Sequence, residues 1–254
     1  MTHPCTNRPA LSSGEIHVWT ARLVDDDHAA PDLLRILSQE ERARATLLSF
    51  ERDRRRFIQA HGIVRRILAH YCDVDAVALT FARNRHGKPY LIQSMNAPNL
   101  QFSVSHSGNR CMLAVRLDHS VGIDVERVHD IPRAMPVAQS YFKPAESRFL
   151  ATLQGAARRD AFFVLWTLKE AIVKGLGVSL AANLARVEFD LDPIATPRLV
   201  AWAGDRTVAQ RWSILRLDAA PGYVAAVASV HPIRSVTWQN WTALIDAAPI
   251  FSTR

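Results

Sequence analysis

Residues 162–174 read Phe-Phe-Val-Leu-Trp-Thr-Leu-Lys-Glu-Ala-Ile-Val-Lys. The helical pattern runs over Arg159–Lys174 and predicts a C-cap at Gly175. At about 100° per residue, Thr167, Glu170 and Lys174 fall within roughly 60° of one another. Leu165, Leu168 and Ile172 fall on the opposite side. Apolar side chains thus cover most of the circumference, which predicts a helix buried inside the fold. A chain of 254 residues is long enough to surround it with a core. Inside such a core Glu170 and Lys174 need partners or an aqueous cleft. The plainer reading is an ordinary i,i+4 ion pair.

The other elements are of mixed type. Strands are expected at Ile16–Leu23, Phe102–Val104, Cys111–Leu117, Val121–Glu126, Val187–Leu191, Trp212–Leu217 and Tyr223–Val230. A short amphipathic segment covers Pro31–Leu37, a helix starts near Ser38, and a long helical pattern starts at Glu51. Residues 1–14 read as a loose tail. Helices and strands occur in both halves without a sequence repeat, an α+β pattern. The segment Asp118–Ser120 is the expected boundary, giving halves 1–118 and 119–254.

Charge and cysteines narrow the partners. Lys plus Arg is 31 and Asp plus Glu is 24, so the net charge is 31 − 24 = +7. That excess suits an anionic partner: nucleic acid, a phosphorylated small molecule or an acidic protein. Cys5, Cys72 and Cys111 are far apart and form no C-x-x-C pair, which argues against a structural zinc site. A sparse, odd count suits a reducing, cytoplasmic compartment. No apolar run has signal-peptide or membrane-spanning length, so no membrane association is expected.

Three segments carry potential chemistry. In Val121-Gly122-Ile123-Asp124-Val125-Glu126, strand alternation puts Asp124 and Glu126 on one face beside Gly122. Carboxylates in one row repel unless a cation joins them, and oxygen ligands suit Mg²⁺; the alternative is a solvated strand face. Phe102-Ser103-Val104-Ser105-His106-Ser107-Gly108 reads as a strand entering a Ser/Gly turn that offers N–H groups and hydroxyls to an anion. His106 adds a positive charge there or serves the structure alone. The third is basic: Arg52, Arg54, Arg55, Arg56, Arg65 and Arg66 on the long helix, then the loop Arg83-Asn84-Arg85-His86-Gly87-Lys88-Pro89. Gly87 permits close backbone approach and Lys88 suits a phosphate; a solvated basic face is the rival.

In order, Gly87-Lys88-Pro89, Phe102–Gly108, Gly122-Ile123-Asp124-Val125-Glu126 and Trp166-Thr167-Leu168-Lys169-Glu170-Ala171 with Lys174 resemble the 4′-phosphopantetheinyl transferase superfamily. The length is similar to its larger, Sfp-type class. The resemblance runs from about Ser38 to Leu180, with weaker support to His231. It implies two similar α+β halves related by a pseudo-twofold, with coenzyme A between them. The implied reaction moves phosphopantetheine from coenzyme A to a serine of an apo acyl or peptidyl carrier protein, releasing 3′,5′-ADP.

By motif position, the resemblance implies that Asp124, Glu126 and Glu170 hold Mg²⁺. Lys174 would neutralise the pyrophosphate, and Glu170 is the base, directly or through a metal-bound water; Glu126 is the alternative. Ser103, Ser105, His106 and Arg56 would serve the phosphates, and Arg83, His86, Gly87, Lys88 and Pro89 the adenine and its 3′-phosphate. Position 41 is Glu where the family often has a basic residue, leaving Arg44 to that role. The stretch after Glu126, with Arg127, Tyr141, Phe142 and Lys143, is the expected carrier-docking surface. Joined halves imply a monomer.

A nucleic-acid-binding module is the rival of another class. It lacks zinc-finger spacing and an RNA-binding aromatic motif, and it leaves the carboxylates without a purpose. An inactive, coenzyme A-binding relative is the second rival. The full carboxylate set with Lys174 argues against it.

Overall fold

The computed structural model describes residues 9–24, 30–92, 99–191 and 197–242. The first part of the expected tail and Cys5 lie outside the described residues.

The chain begins with β1 (Glu15–Arg22) and three helices, α1 (Ala30–Ile36), α2 (Gln39–Thr46) and α3 (Glu51–Cys72). A short hairpin, β2 (Phe81–Arg83) and β3 (Pro89–Leu91), precedes the antiparallel pair β4 (Leu100–Ser107) and β5 (Arg110–Leu117). The second part repeats this order. It comprises β6 (Val121–Arg127), α4 (Ala134–Tyr141), α5 (Pro144–Thr152) and α6 (Gly155–Leu176). Then come α7 (Leu180–Asn183), the hairpin β7 (Val187–Asp190) and β8 (Arg198–Trp202), α8 (Arg206–Gln210), and the pair β9 (Trp212–Leu217) and β10 (Tyr223–Val230). A last strand, β11 (Ser235–Asn240), returns to pair in parallel with β1.

The sheets carry the same duplication. One has the order β11-β1-β5-β4 and the other β6-β10-β9. Leaving out β11, each joins a leading strand to the second strand of an antiparallel pair. The long helices α3 and α6 are both 22 residues. The sequence shows no such repeat, because what recurs is periodicity rather than residue identity.

Alternation along the strands builds four layers. Trp19, Ala21, Leu113 and Val115 face α3. Ile16, Val18, Met112 and Ala114 face the other way and meet Ile123, Val125, Ala225 and Val227 of the second sheet. The far side of that sheet, with Ala226 and Ala228, packs on α6 through Leu168, Ala171 and Ile172. The buried helix expected from the sequence is therefore an outer layer closed over by α4, α5 and α7.

Local chemistry sets the ends. The Ser38 hydroxyl accepts from the Glu41 N–H at 3.2 Å, and the Glu41 carboxylate accepts from the Ser38 N–H at 2.8 Å, a capping box for α2. Helix α6 runs past Gly175 and ends at Gly177, whose φ of 67° suits a left-handed cap. Gly175 instead allows a close crossing: a Cβ there would sit 2.7 Å from the Trp212 ring. The expected Ser/Gly turn is shorter than read. Strand β4 continues through Ser107, paired with Arg110, and only Gly108 and Asn109 turn.

Candidate active site

Strand β6 and helix α6 cross at closest approach through Gly122. A Cβ on Gly122 would lie 1.9 Å from the Ala171 carbonyl oxygen and 2.3 Å from the Gly175 nitrogen. Only a bare backbone fits, and this contact brings the strand's carboxylates to the helix's Glu170 and Lys174. Asp124, two residues on, faces the same way and is fully buried.

The Lys174 ammonium lies 2.6 Å from Asp124 Oδ1, 3.0 Å from the Ser105 hydroxyl and 3.2 Å from Glu170 Oε2. Ser105 donates to Asp124 Oδ1 at 2.8 Å. Asp124 Oδ2 is buried and has no hydrogen-bond partner. Burial alone would lower the Lys174 ammonium, but Asp124 and Glu170 more than offset it and hold it above the ordinary lysine value. Burial first, then the charge of Asp124, pushes the Glu170 carboxyl up to about 7. Burial also raises Glu126, with Asp124 adding to the effect and the Ser107 hydrogen bond opposing it.

The serines of β4 stitch the seam between the halves. The Ser103 hydroxyl accepts from the Ile123 N–H at 3.1 Å. Ser107 accepts from the Arg127 N–H at 3.1 Å and donates to Glu126 Oε2 at 2.7 Å. Hydroxyls at alternate residues thus replace a backbone ladder along β6 while holding two carboxylates. Ser107 is absent from the sequence-derived site. Its place in the Ser-x-Ser-x-Ser alternation, in phase with Asp124 and Glu126, was the available signal.

His106 falls on the opposite face of β4 from Ser105. Loss of surrounding water, then the charges of His61 and Lys174, hold its ring below the usual imidazole range. His61 and Arg56 are on α3, and the His61 ring stacks on Phe57 at 3.9 Å. The Arg44 guanidinium lies 5.8 Å from the same Phe57 ring. This basic group is built from α2, α3 and β4. Glu41 sits beneath it, 2.7 Å from the buried Arg65 and 3.3 Å from His61. Its carboxyl is at about 2: burial works against ionisation, and His61, the Ser38 N–H and Arg65 overcome it.

Loop 84–88 joins β2 to β3. Arg83 donates to the Gly87 carbonyl at 3.0 Å, and the exposed His86 ring accepts from Arg85 at 3.0 Å. Gly87 has φ 90° and open space around it, and Pro89 begins β3. The Lys88 side chain turns toward the start of β6 and the end of α6. Its ammonium donates to the Val121 carbonyl at 3.0 Å, the Gly175 carbonyl at 3.1 Å and the Ser120 hydroxyl at 3.3 Å. Those acceptors use all three of its protons. Burial lowers it to about 8. Asn84, also missed in the sequence, donates to the Gly177 carbonyl at 2.7 Å. The loop therefore grips the C-terminal end of α6, where unpaired carbonyls attract cations.

One further expectation changes. Phe142 is only 3% exposed and stacks on Phe162 with ring centroids 5.3 Å apart, so it belongs to the core rather than to a docking surface. Tyr141 packs edge-on against Trp166. Lys169, beside Glu170, is fully buried and pairs with Glu146 at 2.7 Å, anchoring the back of α6.

Asp124, Glu126 and Glu170 do not form a closed cage, since Lys174 stands between Asp124 and Glu170. Among the described residues no three His, Cys, Asp or Glu side chains converge tightly enough to enclose a metal. The donor set still suits Mg²⁺, an ion that commonly takes one or two carboxylates and completes its shell with water and phosphate. The buried Asp124 Oδ2, which has no hydrogen-bond partner, is an oxygen of the kind such an ion takes. No helix of the described residues is long and apolar enough to cross a membrane.

The family model for the 4′-phosphopantetheinyl transferase superfamily matches residues 120–228. The model for the 4′-phosphopantetheinyl transferase N-terminal region matches residues 26–118. The chain is 34% identical to the 4′-phosphopantetheinyl transferase HetI of Nostoc sp. over 218 residues, 86% of this chain and 89% of that relative. It is 29% identical to the L-aminoadipate-semialdehyde dehydrogenase-phosphopantetheinyl transferase of Xenopus laevis over 63% of this chain and 56% of that relative. Among solved structures, a holo-(acyl-carrier-protein) synthase from Bacillus anthracis in complex with CoA aligns with a TM-score of 0.36 at 14% identity. That alignment covers 44% of this chain and 96% of that one.

Proposed function

The chain belongs to the 4′-phosphopantetheinyl transferase superfamily, a family of enzymes, and on that premise we propose that it transfers 4′-phosphopantetheine from coenzyme A to a serine of an apo carrier protein, dependent on Mg²⁺. The observation that carries this reading is the Asp124–Ser105–Lys174–Glu170 cluster at the seam of the halves, with its unpartnered Asp124 oxygen.

In this reading the carrier serine oxygen attacks the β-phosphorus of coenzyme A. The phosphorus–oxygen bond to the nucleotide breaks, and 3′,5′-ADP leaves. Lys174 lies where it can meet pyrophosphate charge, held by Ser105 so that no reorganisation is needed as charge develops. Glu170, whose carboxyl burial and the charge of Asp124 raise, takes the serine proton, with Glu126 the alternative base. Asp124, Glu126 and Glu170 are the residues that would hold Mg²⁺, with Ser107 fixing the orientation of Glu126. Bound there, the ion would supply Lewis-acid stabilisation of phosphate charge.

The first half, 1–118, takes the adenosine end through His106, Arg56 and Arg44, and the second half, 119–254, supplies the carboxylates. Both sides of the site come from one chain, which supports a monomer. The sparse cysteines, with no C-x-x-C pair, suit a reducing cytoplasm.

Mass spectrometry of several apo carrier proteins incubated with coenzyme A, Mg²⁺ and this protein tests the reading. The expected result is one phosphopantetheine added per carrier, abolished by Asp124→Ala or EDTA. Binding of coenzyme A with no mass gain on any carrier would leave a binding protein instead.

A further inference from the structure

The turn between β4 and β5 has two residues, Gly108 and Asn109, with φ 56° at Gly108. A glycine in first place suits a tight hairpin turn of this kind. Strand β4 ends at Ser107, immediately before the turn, and Ser107 holds the Glu126 carboxylate. In the sheet order β11-β1-β5-β4, β4 is the edge, and it meets β6 through serine hydroxyls rather than a backbone ladder. A hairpin end at a sheet edge is where pairing frays first. The hydroxyl that orients Glu126 thus sits where β4 has least support of its own.

Tyr223 supplies that support from the second half. It opens β10 opposite Arg127, and the next residue, Val224, lies opposite Glu126. The Tyr223 hydroxyl donates to Asn109 Oδ1 at 2.8 Å and accepts from the Asn109 N–H at 3.2 Å. A Cβ on Gly108 would lie 2.5 Å from that hydroxyl oxygen, so the turn packs against the phenol with no room to spare. The Asn109 carbonyl accepts from the Leu23 N–H at 2.8 Å, which ties the turn to its own half. The phenol ties it to the half that carries Glu126.

We propose that Tyr223 is a positioning residue for Glu126. Its phenol clamps Asn109, the clamp holds Ser107 against β6, and the Ser107 hydroxyl keeps the Glu126 carboxylate in one orientation. The inference rests on the transferase reading above, in which Glu126 belongs to the set that would hold Mg²⁺. Hydrogen bonds to a ligating carboxylate set metal affinity by about 10–100-fold. Tyr223 extends that chain by one step, acting through Asn109 and Ser107 rather than on the carboxylate itself.

The test is isothermal titration of Mg²⁺ into the coenzyme A complex, beside steady-state transfer, for Tyr223→Phe, Ser107→Ala and the double variant. Tyr223→Phe keeps the ring and removes only the hydroxyl. It should weaken Mg²⁺ binding about tenfold and raise the Mg²⁺ concentration for half-maximal rate to match. The coenzyme A affinity and the carrier KM should stay as in the parent protein. Ser107→Ala should lose at least as much, and the double variant no more than Ser107→Ala alone, because residues acting along one path are not additive. Asn109→Ala, which takes away the accepting amide, should repeat the Tyr223→Phe loss. Parent-like Mg²⁺ binding in Tyr223→Phe, or full additivity in the double variant, would overturn the positioning role while transfer by the parent keeps the transferase reading. Failure of the parent protein to modify any carrier would overturn the transferase reading itself.

Discussion

Glu41 stands where the family resemblance leads one to expect a base, and its partners give the reason. It caps α2 through Ser38 and meets the buried Arg65 guanidinium. Its carboxyl is at about 2 in the folded protein, against an ordinary value of 4.5. A depressed carboxyl stabilises the fold above its unfolded value and loses that contribution as pH falls toward the folded one. The contribution is on the order of 1–3 kcal/mol. Glu41→Gln should therefore lower the thermal midpoint at pH 7, and the difference from the parent should close between pH 4.5 and about 2. A gap unchanged at pH 3 would mean that Glu41 acts through packing rather than charge. Lys88 gives a second residue-scale test. With its protons on the Val121 and Gly175 carbonyls and the Ser120 hydroxyl, Lys88→Met should destabilise the protein while coenzyme A and its 3′-dephospho form keep their affinity ratio. A ratio that falls about tenfold, one charge-assisted contact, would put Lys88 back on the 3′-phosphate.

At the scale of elements, the catalytic geometry depends on how closely β6 and α6 approach. Gly122→Ala would push a methyl group into the Ala171 carbonyl and the Gly175 nitrogen, both backbone atoms that cannot rotate aside. Overpacking of this kind costs about 1–3 kcal/mol or more. Activity should fall further than stability does, because Asp124 and Lys174 ride on the two elements forced apart. Circular dichroism melts beside transfer rates check this; a variant with normal rates would mean that the crossing tolerates a shift. Much of this pair was legible in the sequence. Strict alternation in Gly122–Glu126 and the 100° pattern around Glu170 each predicted the face presented. The closeness was not, since Gly175 looks like a helix stop when its partner across the crossing is unknown. The Ser105–Ser107 stretch was misread as a turn for a related reason. Serines are common in turns, and only the β5 register and the hydroxyl bonds to β6 show why they line a strand.

The whole molecule is a duplicated plan, and β11, which has no counterpart in the second sheet, is where sequence reading stopped. Nothing in residues 235–254 suggested a role. Yet Ser235–Asn240 pairs in parallel with β1, and no periodicity within a segment reveals which distant strand it will join. The pairing reaches into the first half's interior. Thr237 donates to Glu15 at 2.5 Å, His17 lies 3.2 Å from that carboxylate, and the other His17 nitrogen meets the Tyr71 hydroxyl of α3 at 2.5 Å. Trp19 donates to the same hydroxyl at 2.9 Å. This run of bonds fixes β1 between α3 and β11 and is remote from the Asp124 cluster. Removal of residues 235–254 should bare the edge of β1 and leave Glu15 without its hydroxyl partner. An exposed strand edge invites pairing between copies. The truncated chain should therefore melt at a lower temperature and form higher oligomers at concentrations where the full chain stays monodisperse. Thr237→Val, which keeps the strand and removes only the hydroxyl, should lower the midpoint by less and leave the oligomeric state alone. If scattering shows the truncated chain as monodisperse and as heat-resistant as the full one, β11 is a passenger, and the first half's stability resides in α3 and its own three strands.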